Sequence, residues 1–362
     1  MKPKTFIIIG LSLILVAAGA AGAMAAGKPL SDIERLGMYI YKDKNISYYG
    51  NQSCQTCHHP LAGFADRSNF LHPDTKFVSV GSDGVSQGGR NAPTSAYAGY
   101  SPIRDYDESL GEWFGGMFWD GRATGATLLD PLAEQAQGPP TNPVEMAQPT
   151  KQAVIDVIMD STYYELWKKV FDGPITDVDV AYDNFGRAIA AYERSSEVTK
   201  FSSKYDIAYG DFTDSELRGE VLFEANCALC HATDTDNDAQ AALFTTYGYA
   251  NIGVPANNLL LDIALIPDRG LGAQLEEQYG GDFSDQYGKF KIPTLRNVAV
   301  SAPYSHNGGF PTLYDMVSFI NNSEGFTPDV NVNIDDNIGK IGLSDADVAD
   351  IVAFLNTLTD DY

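Results

Sequence analysis

The sequence predicts a mostly α-helical protein of two domains, each containing long irregular loops. Three observations predict this fold. Apolar residues recur at helical spacing in several segments, whereas the alternation typical of strands is sparse. The chain has 362 residues, a length that suggests two domains of ordinary size. A helix followed by a Cys-x-x-Cys-His run occurs twice, which indicates an internal duplication.

The first 25 residues have the pattern of a secretory signal peptide. Lys2 and Lys4 precede an apolar run over 6–21, and Ala23-Met24-Ala25 matches an A-x-A cleavage site. We therefore expect residues 1–25 to be removed on export to a bacterial periplasm. The alternative is an uncleaved membrane anchor, which the small residues at the end of the run disfavour. No later segment has the roughly twenty apolar residues that a membrane span requires, so we expect a soluble mature protein.

Cys54-Gln55-Thr56-Cys57-His58 is the attachment signature of a c-type haem. Its two thiols can add to the two vinyl groups of one porphyrin, and the histidine that follows can bind the iron from one face. The same run recurs as Cys227-Ala228-Leu229-Cys230-His231, and the two runs use all four cysteines. A single run could be a redox or zinc half-site. Two complete runs in an exported chain predict two covalently bound haem c groups, with His58 and His231 as iron ligands.

A helix with matching residues precedes each haem run. Each begins with a capping box and continues with a glycine and an aromatic residue at corresponding places. The corresponding residues are Ser31, Glu34, Gly37 and Tyr41 in the first copy, and Thr213, Glu216, Gly219 and Phe223 in the second. We therefore expect one haem domain over 26–199 and a second over 200–362.

The rest of the chain divides into loops and helices by composition. Glycine and proline mark long loops, which in compact proteins tend to be functional. The loops are expected over 81–89 and 138–143, helices near 151–171 and 178–197, a domain linker over 200–211 and a polar irregular stretch over 232–290. A final helix is expected after Ser344, with one apolar face formed by Val348, Ile351, Val352 and Leu355.

The chain is strongly acidic, with a formal net charge of −24. This charge argues against nucleic acid or an anionic membrane surface as a partner, because both are negatively charged. The same charge favours solubility and could steer a basic redox partner, although it also fits an ordinary solvated surface.

Several short motifs occur in a fixed order between and after the haem runs. They are Gly89-Arg90-Asn91-Ala92-Pro93, Phe118-Trp119-Asp120-Gly121-Arg122, Ala133-Glu134-Gln135-Ala136, Val144-Glu145-Met146, Ile292-Pro293-Thr294-Leu295-Arg296-Asn297 and Ala302-Pro303-Tyr304-Ser305-His306-Asn307-Gly308. With these motifs the chain resembles the bacterial di-haem cytochrome c peroxidases and their MauG-type relatives over nearly all of its expected mature length. The resemblance implies two cytochrome c-like haem domains. It also implies that the N-terminal haem reacts with peroxide and the C-terminal haem holds or relays oxidising equivalents.

The expected chemistry requires a carboxylate beside the first haem. An iron with one open face can bind hydrogen peroxide, and breaking the O–O bond requires a proton to move from the near oxygen to the far one. The resemblance puts Glu145 at the position of this general acid/base. It puts Gln135 at a pocket position that can hydrogen-bond the oxygen ligand, and Pro139 at a pocket-lining position of the MauG type. Without the flanking motifs, Glu145 would be a solvated loop carboxylate.

Two further roles come from the resemblance. Trp119 matches the tryptophan between the two haems, where an indole can relay an electron, although a buried tryptophan is usually core packing. Asn91, Ser301 and Pro303 match calcium ligands at the domain junction, and their oxygen atoms suit Ca²⁺. Ser301 departs from the usual threonine, which matters little if its backbone oxygen binds the ion.

One departure concerns the first haem. Classical peroxidases of the family have a histidine in the loop before the Gly-Arg-Asn motif, which blocks the sixth iron site until activation. This chain has none near Ser82-Asp83-Gly84. His59 follows the proximal ligand directly and cannot readily reach the opposite face, and His72 could be a displaced ligand but is interpreted as a surface residue. We therefore expect the first haem to be open at rest and to need no reductive activation.

The other departure concerns the second haem. The family usually supplies its sixth ligand, methionine or tyrosine, at the position of Ile320, which cannot bind iron. Met316 is one helical turn earlier on the same face and could substitute. The alternative is that Met316 is a core residue and the second haem is five-coordinate or bound by another group. His306 is expected to be a structural residue near the second haem rather than an iron ligand.

The sequence therefore favours an exported di-haem c-type peroxidase that reduces hydrogen peroxide with electrons from a small redox protein, either a c-type cytochrome or a cupredoxin. A close alternative is a MauG-type enzyme that oxidatively modifies tryptophan or tyrosine residues of a partner protein. An alternative of another class is a non-catalytic di-haem electron carrier, which requires both irons to be six-coordinate and inert to peroxide. The sequence leaves open whether the protein forms a homodimer.

Overall fold

The computed structural model of the protein describes residues 28–234, 239–260 and 266–361. The expected signal peptide lies outside the described residues. The described part is mostly α-helical, as predicted, with irregular loops between the helices. Its α-helices are Asp32–Lys42 (α1), Cys54–Cys57 (α2), Arg67–Leu71 (α3), Pro131–Ala136 (α4), Gly138–Thr141 (α5), Lys151–Asp160 (α6), Tyr164–Val170 (α7), Val178–Glu193 (α8), Lys204–Ile207 (α9), Asp214–Asn226 (α10), Gly270–Tyr279 (α11), Leu313–Asn321 (α12) and Asp345–Asn356 (α13).

The strands of the described residues are short and form two antiparallel pairs. They are Asp105–Asp107 (β1) with Glu112–Phe114 (β2), and Tyr249–Ala250 (β3) with Phe290–Lys291 (β4). Both pairs lie in the long connections between helices. They hold loops in place and form no extended sheet.

Two helix pairs form the frame of the molecule, α1 with α8 and α10 with α13. A glycine sits at each crossing. A Cβ atom on Gly37 would lie 1.8 Å from the backbone oxygen of Ala188, and one on Gly219 would lie 1.9 Å from that of Asp350. Because only glycine lacks a Cβ atom, each pair can approach this closely only with glycine at that position.

The helix starts expected from the sequence are present. Ser31 and Glu34 form a capping box at the start of α1, and Thr213 and Glu216 form one at the start of α10. Ser344 caps α13, with its amide and hydroxyl paired to Asp347. These caps satisfy backbone N–H groups that have no partner within the helix.

Each helix pair buries its own apolar core. The first core gathers α1, α6, α7 and α8 around residues such as Leu36, Phe185 and Trp167. The second gathers α10, α12 and α13 around Phe223, Phe319 and Phe354. Large buried aromatic side chains dominate both cores, and their burial supplies the main stabilisation of each helix group.

Five expected segments differ in detail from the structure. The loop expected over 138–143 begins with α5, and the linker expected over 200–211 contains α9. The helix expected near 151–171 is two helices, because the backbone is extended at Ser161, whose hydroxyl donates to the carbonyl of Ile158. The helix expected near 178–197 ends at Glu193. The stretch 232–290, expected to be irregular, contains α11, β3 and β4. Helix α11 was missed because its buried Leu271 and Leu275 stand among glycine and polar residues.

Within the described ranges, none of the helices has the length and apolar character that a membrane span requires.

Candidate active site

The two cysteine–histidine runs occupy comparable places in the two halves. The first forms α2 and ends at His58, and the second follows the last turn of α10 and ends at His231. All four cysteines are free thiols, so none is used in a disulfide. Burial raises the pKa of the Cys54 and Cys227 thiols, which therefore stay protonated unless they are modified.

Both histidines present the same ring nitrogen to the site. His58 Nδ1 lies 3.1 Å from the carbonyl oxygen of Phe64, and His231 Nδ1 lies 2.8 Å from that of Phe244. Because a carbonyl only accepts, Nδ1 carries the hydrogen and Nε2 remains available to bind a metal. Burial lowers the pKa of both rings, which favours the neutral form that ligates iron.

A matching backbone frame supports each histidine. Thr94 donates to the carbonyl of Gly63 at 2.6 Å, and Thr294 donates to that of Leu243 at 2.6 Å. The Pro93 carbonyl interacts with the His58 ring and the Pro293 carbonyl with the His231 ring, and each favours the protonated form of its ring. Tyr97 and Asn297 both adopt the left-handed region, with φ of 63° and 62°, before a short 3₁₀ turn. The two haem runs therefore sit in the same local fold.

A cavity of about 800 Å³ lies beside the second run. Cys227, Cys230 and His231 line it, and so do Met316 and Ile320 of α12. Its size and its mixture of apolar and ligating side chains fit a haem group. Met316, the possible substitute ligand, and Ile320, at the position of the family's usual ligand, therefore line the same cavity.

His306 also lines this cavity. It is 5% exposed, and its ring stacks on Phe290 with 3.6 Å between ring centroids. Burial lowers the pKa of His306 to about 4, so the ring is neutral at physiological pH. Its backbone carbonyl accepts a hydrogen bond from the Asn91 amide at 2.7 Å, which ties the two halves of the chain together.

A second cavity, of about 480 Å³, is lined mainly by residues of the first half, with Gln274 and Glu277 from the second half. Glu145, Asn142, Pro139, Arg122 and Phe118 are among the residues that line it. The Asn142 amide donates to Glu145 Oε1 at 2.9 Å. Burial raises the pKa of Glu145, while Arg122 and Asn142 favour its charged form. A carboxyl group whose pKa is raised by burial holds a proton more readily than an exposed one, which suits a group that must take up and deliver a proton.

Electrostatics connect Glu145 to the first haem run. Burial raises the pKa of both the Cys54 and Cys57 thiols, and the negative charge of Glu145 adds to this effect. The Glu145 carboxylate is therefore within electrostatic reach of the first haem run. Glu145 and Pro139, two residues expected in this pocket, line the same cavity.

Gln135 differs from the other expected pocket residues. It lies on α4, partly exposed, and is not among the residues that line the 480 Å³ cavity. Gln137 does line it, but its amide is already held by the Tyr182 carbonyl and Asp183. Arg122 and Asn142 are pocket residues to which the sequence analysis assigned no role. The sequence features that could have indicated them are the last position of the Phe-Trp-Asp-Gly-Arg motif, which is Arg122, and the side-chain amide of Asn142 three residues before Glu145.

The loop that lacks a histidine packs directly on the segment containing Glu145. The Ser82 amide donates to the Glu145 carbonyl at 2.7 Å, and its hydroxyl donates to the Met146 carbonyl at 3.2 Å. A Cβ atom on Gly81 would lie 2.6 Å from the Val144 oxygen. Asp83 folds back on its own loop by accepting from the amides of 85 and 86.

The two remaining histidines of the first half lie near the surface. His59 Nδ1 accepts from the Leu61 amide at 3.1 Å and so caps the short 3₁₀ helix Pro60–Ala62. His72 is exposed at the end of α3. His59 therefore stabilises a local turn, and His72 lies at the surface.

Trp119 and its neighbour face different cavities. The Trp119 indole donates to the Asn91 carbonyl at 2.8 Å, and Trp119 lines the 800 Å³ cavity. Phe118, the residue before it, lines the 480 Å³ cavity and carries the Arg122 guanidinium over its ring at 3.7 Å. One peptide unit thus connects the two cavities.

The three expected calcium ligands lie together at the border of the two halves. Asn91 Nδ2 is 2.6 Å from the Pro303 carbonyl, and Asn91, Ser301 and Pro303 all line the 800 Å³ cavity. In the described part of the chain, no group of three or more His, Cys, Asp or Glu side chains forms a metal site. A cation here would depend on amide and carbonyl oxygens.

Comparisons with known proteins agree with this arrangement. A protein-family model described as di-haem cytochrome c peroxidase matches residues 31–214, and a cytochrome c model matches residues 217–359. Methylamine utilization protein MauG of Paracoccus denitrificans is 36% identical, covering 94% of this chain and 92% of that protein. Cytochrome c551 peroxidase of Pseudomonas aeruginosa is 30% identical, covering 92% of this chain and 80% of that protein.

A solved structure has the same fold. The diheme peroxidase BthA of Burkholderia thailandensis E264 superposes with a TM-score of 0.81 and 30% identity, covering 93% of this chain and 88% of that one. The matched families carry covalently bound haem c, which fits the buried thiols and the neutral histidines of both runs. The chain therefore belongs to the di-haem cytochrome c peroxidase family, a family of oxidoreductases.

Proposed function

We propose that this protein reacts with hydrogen peroxide beside the Cys54–His58 haem run and receives electrons from a small redox protein. The observation that carries the proposal is Glu145, a half-buried carboxyl that is held by Asn142 in a cavity and lies within electrostatic reach of Cys54. The relatives named as peroxidases support the same reaction class.

Each residue of the site is proposed to have a separate role in the reaction. When bound, the first haem supplies an iron that binds peroxide and exchanges electrons. Glu145 takes a proton from the near oxygen of peroxide and delivers it to the far oxygen, which leaves as water. Arg122 holds positive charge at the cavity wall, and Gln135 is proposed to donate to the oxygen ligand. Two electrons and two further protons complete the reduction of one peroxide to two waters.

Trp119 is proposed to relay electrons between the two haem sites. Support comes from its position on the wall of the 800 Å³ cavity, next to Phe118 on the wall of the 480 Å³ cavity. An indole held by a hydrogen bond keeps a fixed orientation, and this favours electron transfer over a defined path.

A MauG-type reaction is the second candidate, in which a partner protein's Trp or Tyr residues are oxidised. Two observations favour it. The loop at 81–86 has no histidine and is held by backbone hydrogen bonds to Glu145 and Met146, and the MauG relative is 36% identical. Steady turnover of peroxide with reduced cytochrome supports the peroxidase, whereas oxidation of partner residues without that turnover supports the MauG-type reaction.

The second haem is proposed to take its sixth ligand from Met316. Support comes from its place, with Ile320, among the residues that line the same cavity as His231. Replacing Met316 by Leu is expected to change the low-spin spectrum of the second haem and leave that of the first unaltered. An unchanged spectrum would identify Met316 as a core residue.

A calcium ion is proposed at Asn91, Ser301 and Pro303. In the structure the Asn91 amide nitrogen faces the Pro303 carbonyl, and turning the amide would bring two oxygens together, as Ca²⁺ requires. Calorimetric titration of the haem-loaded protein with Ca²⁺ tests the site, and Asn91→Ala should abolish the binding. No binding to the unmodified protein would refute it.

Export to a periplasm, removal of residues 1–25, the domain boundary at 199–200 and homodimer formation stay predictions. Mass spectrometry of the protein purified from a periplasmic extract, with its size in solution, tests the first, second and fourth. Limited proteolysis tests the boundary, since cleavage near 200–211 is expected to release two haem-containing fragments.

The reaction itself is tested by the ferric EPR spectrum before and after peroxide is added. A resting high-spin signal that peroxide abolishes is expected, because the first haem should have an open face. A purely low-spin spectrum that peroxide leaves unchanged would support the electron-carrier alternative and overturn the enzyme proposal. Reaction only after partial reduction would show that an unassigned ligand blocks the first site.

A further inference from the structure

A buried carboxyl group lies behind the first haem run. Glu193, the last residue of α8, is 3% exposed, and its Oε2 has no hydrogen-bond partner among the described residues. Burial raises the pKa of Glu193 to about 8, so the group is mostly neutral at physiological pH. Burial also raises the pKa of the Cys54 thiol, and the next largest contribution comes from Glu193. The Glu193 carboxyl is therefore within electrostatic reach of the first haem run.

A short series of polar side chains leads from this carboxyl to the proximal histidine. The Tyr41 hydroxyl donates to the His58 carbonyl at 2.9 Å and lies 3.1 Å from the Ser95 hydroxyl. The Ser95 side chain in turn interacts with the Glu193 carboxyl. Glu193, Ser95, Tyr41 and the backbone of His58 thus form one chain of contacts, here called the Glu193 relay.

The direction of the donors depends on the charge of Glu193. A carbonyl can only accept, so the single Tyr41 hydrogen is used on His58, and Ser95 must donate to Tyr41. The single Ser95 hydrogen is then used as well, so Ser95 can only accept from Glu193, which must be protonated. If Glu193 ionises, the Ser95 hydrogen turns towards the carboxylate and Tyr41 loses a donor. The charge of Glu193 is thereby transmitted to the hydrogen bond at His58.

The neighbouring charges leave Glu193 without a compensating cation. Arg194 favours the anion, but its two terminal nitrogens are each 2.7 Å from the carboxylate of Asp130, which opposes it. The other titratable groups that face Glu193 carry no positive charge. They are Tyr41, Tyr192 and Cys54. A change of charge at the first haem site is therefore the available means of stabilising the anion.

The second half of the molecule has an apolar replacement for the relay. A Cβ atom on Gly37 would be 3.0 Å from Tyr192 Cβ, and one on Gly219 would be 3.0 Å from Phe354 Cβ. The residues that follow these two aromatic residues are Glu193 and Leu355, which therefore correspond. Both are 3% exposed.

The other two members of the relay correspond in the same way. Tyr41 and Phe223 each stand one turn after the crossing glycine, and both are buried. Ser95 and Leu295 each follow the threonine that supports the haem run of its own half. Every polar member of the relay in the first half therefore has an apolar counterpart in the second.

We propose that Glu193, acting through Ser95 and Tyr41, couples one proton to each electron exchanged at the first haem site and has no counterpart at the second. When an electron leaves the site, Glu193 releases its proton to solvent and remains as an anion that balances the charge. When an electron returns, Glu193 takes a proton from solvent. Peroxide is the electron acceptor and the redox protein is the donor, so this inference rests on the proposed function.

The test is a redox titration of the haem-loaded protein over about two pH units on either side of the Glu193 pKa. The potential of the first haem is expected to fall with pH with a slope approaching one proton per electron, and more steeply than that of the second. Glu193→Gln should flatten the first slope, because the amide can donate to Ser95 as the protonated acid does but cannot ionise. Glu197→Gln, an exposed carboxyl just after α8, is the matched control and should leave both slopes unchanged.

Equal slopes at the two haems, or an unchanged first slope in Glu193→Gln, would overturn the inference. If that variant folds poorly, the infrared difference spectrum of the unmodified protein decides. Oxidation of the first haem at neutral pH should remove a protonated carboxylic acid band, and retention of all such bands refutes the coupling. A protein that shows the coupling but does not react with peroxide would contradict the proposed function alone.

Discussion

The two haem-binding halves share a backbone frame and differ in the side chains placed on it. Each half has a glycine at the helix crossing, a histidine that donates to a phenylalanine carbonyl and a threonine that donates at 2.6 Å. The first half adds the half-buried carboxyl of Glu145 and the buried carboxyl of Glu193, whereas the second lines its cavity with Met316 and Ile320. The shared frame explains the likeness of the two haem runs, and the added carboxyls are the basis of the proposed difference in chemistry.

The largest expected effect comes from removing the acid/base of the first half. Glu145→Gln keeps the shape of the side chain but cannot transfer the proton, so the reaction with peroxide should slow by about 10²–10⁴-fold. Stopped-flow absorbance of the haem-loaded variant measures this rate. Glu277→Gln is the matched control, because Glu277 lines the same cavity but is exposed, and its rate should stay within about twofold. Equal losses in the two variants would contradict the role of Glu145.

The next effect tests the shared frame. Gly37→Val and Gly219→Val each place side-chain atoms against a backbone carbonyl of the partner helix, and each should destabilise its own half by more than about 3 kcal/mol. Thermal unfolding followed at the haem absorbance band and by circular dichroism measures the loss. Gly210→Val, at a glycine with open space around it, is the control and should change little. A loss in only one of the two halves would break the comparison between them.

The smallest effect concerns the pH dependence of stability in the first half. The pKa of Glu193 is raised from 4.5 to about 8, so between these values the folded state binds more protons than the unfolded state. Stability therefore falls as pH rises through this window, and it levels off above the folded pKa. Glu193→Gln should lack this fall, so its stability should gain on that of the unmodified protein as the pH rises across the window. Unfolding midpoints at several pH values, with Glu197→Gln as control, test this expectation, and parallel curves would contradict it.

Local sequence was sufficient to predict the features that depend on adjacent residues. The haem runs, both capping boxes and the helix after Ser344 follow from short spacings along the chain. The motifs around Glu145 and Trp119 also indicated which residues to examine. These features form where the sequence places their partners within a few positions.

The contacts that distinguish the two halves could not be predicted in this way. Tyr41, Ser95 and Glu193 meet only when α1, α8 and the loop after Pro93 pack together, and no local pattern connects them. For Gln135, a motif indicates a pocket role that stays a prediction, while Gln137 is the glutamine that lines the 480 Å³ cavity. Which side of a short helix faces a cavity depends on tertiary packing.

The single peptide unit between Phe118 and Trp119 also limits how this molecule can evolve. The chain around it crosses from one cavity wall to the other, with Phe118 in the left-handed region at φ 65° and Gly121 at φ 72°. An insertion here would shift both walls at once, and a deletion would remove the crossing. The two haem units therefore cannot be exchanged as independent modules, because a recombinant must inherit this segment together with both of the surfaces it joins.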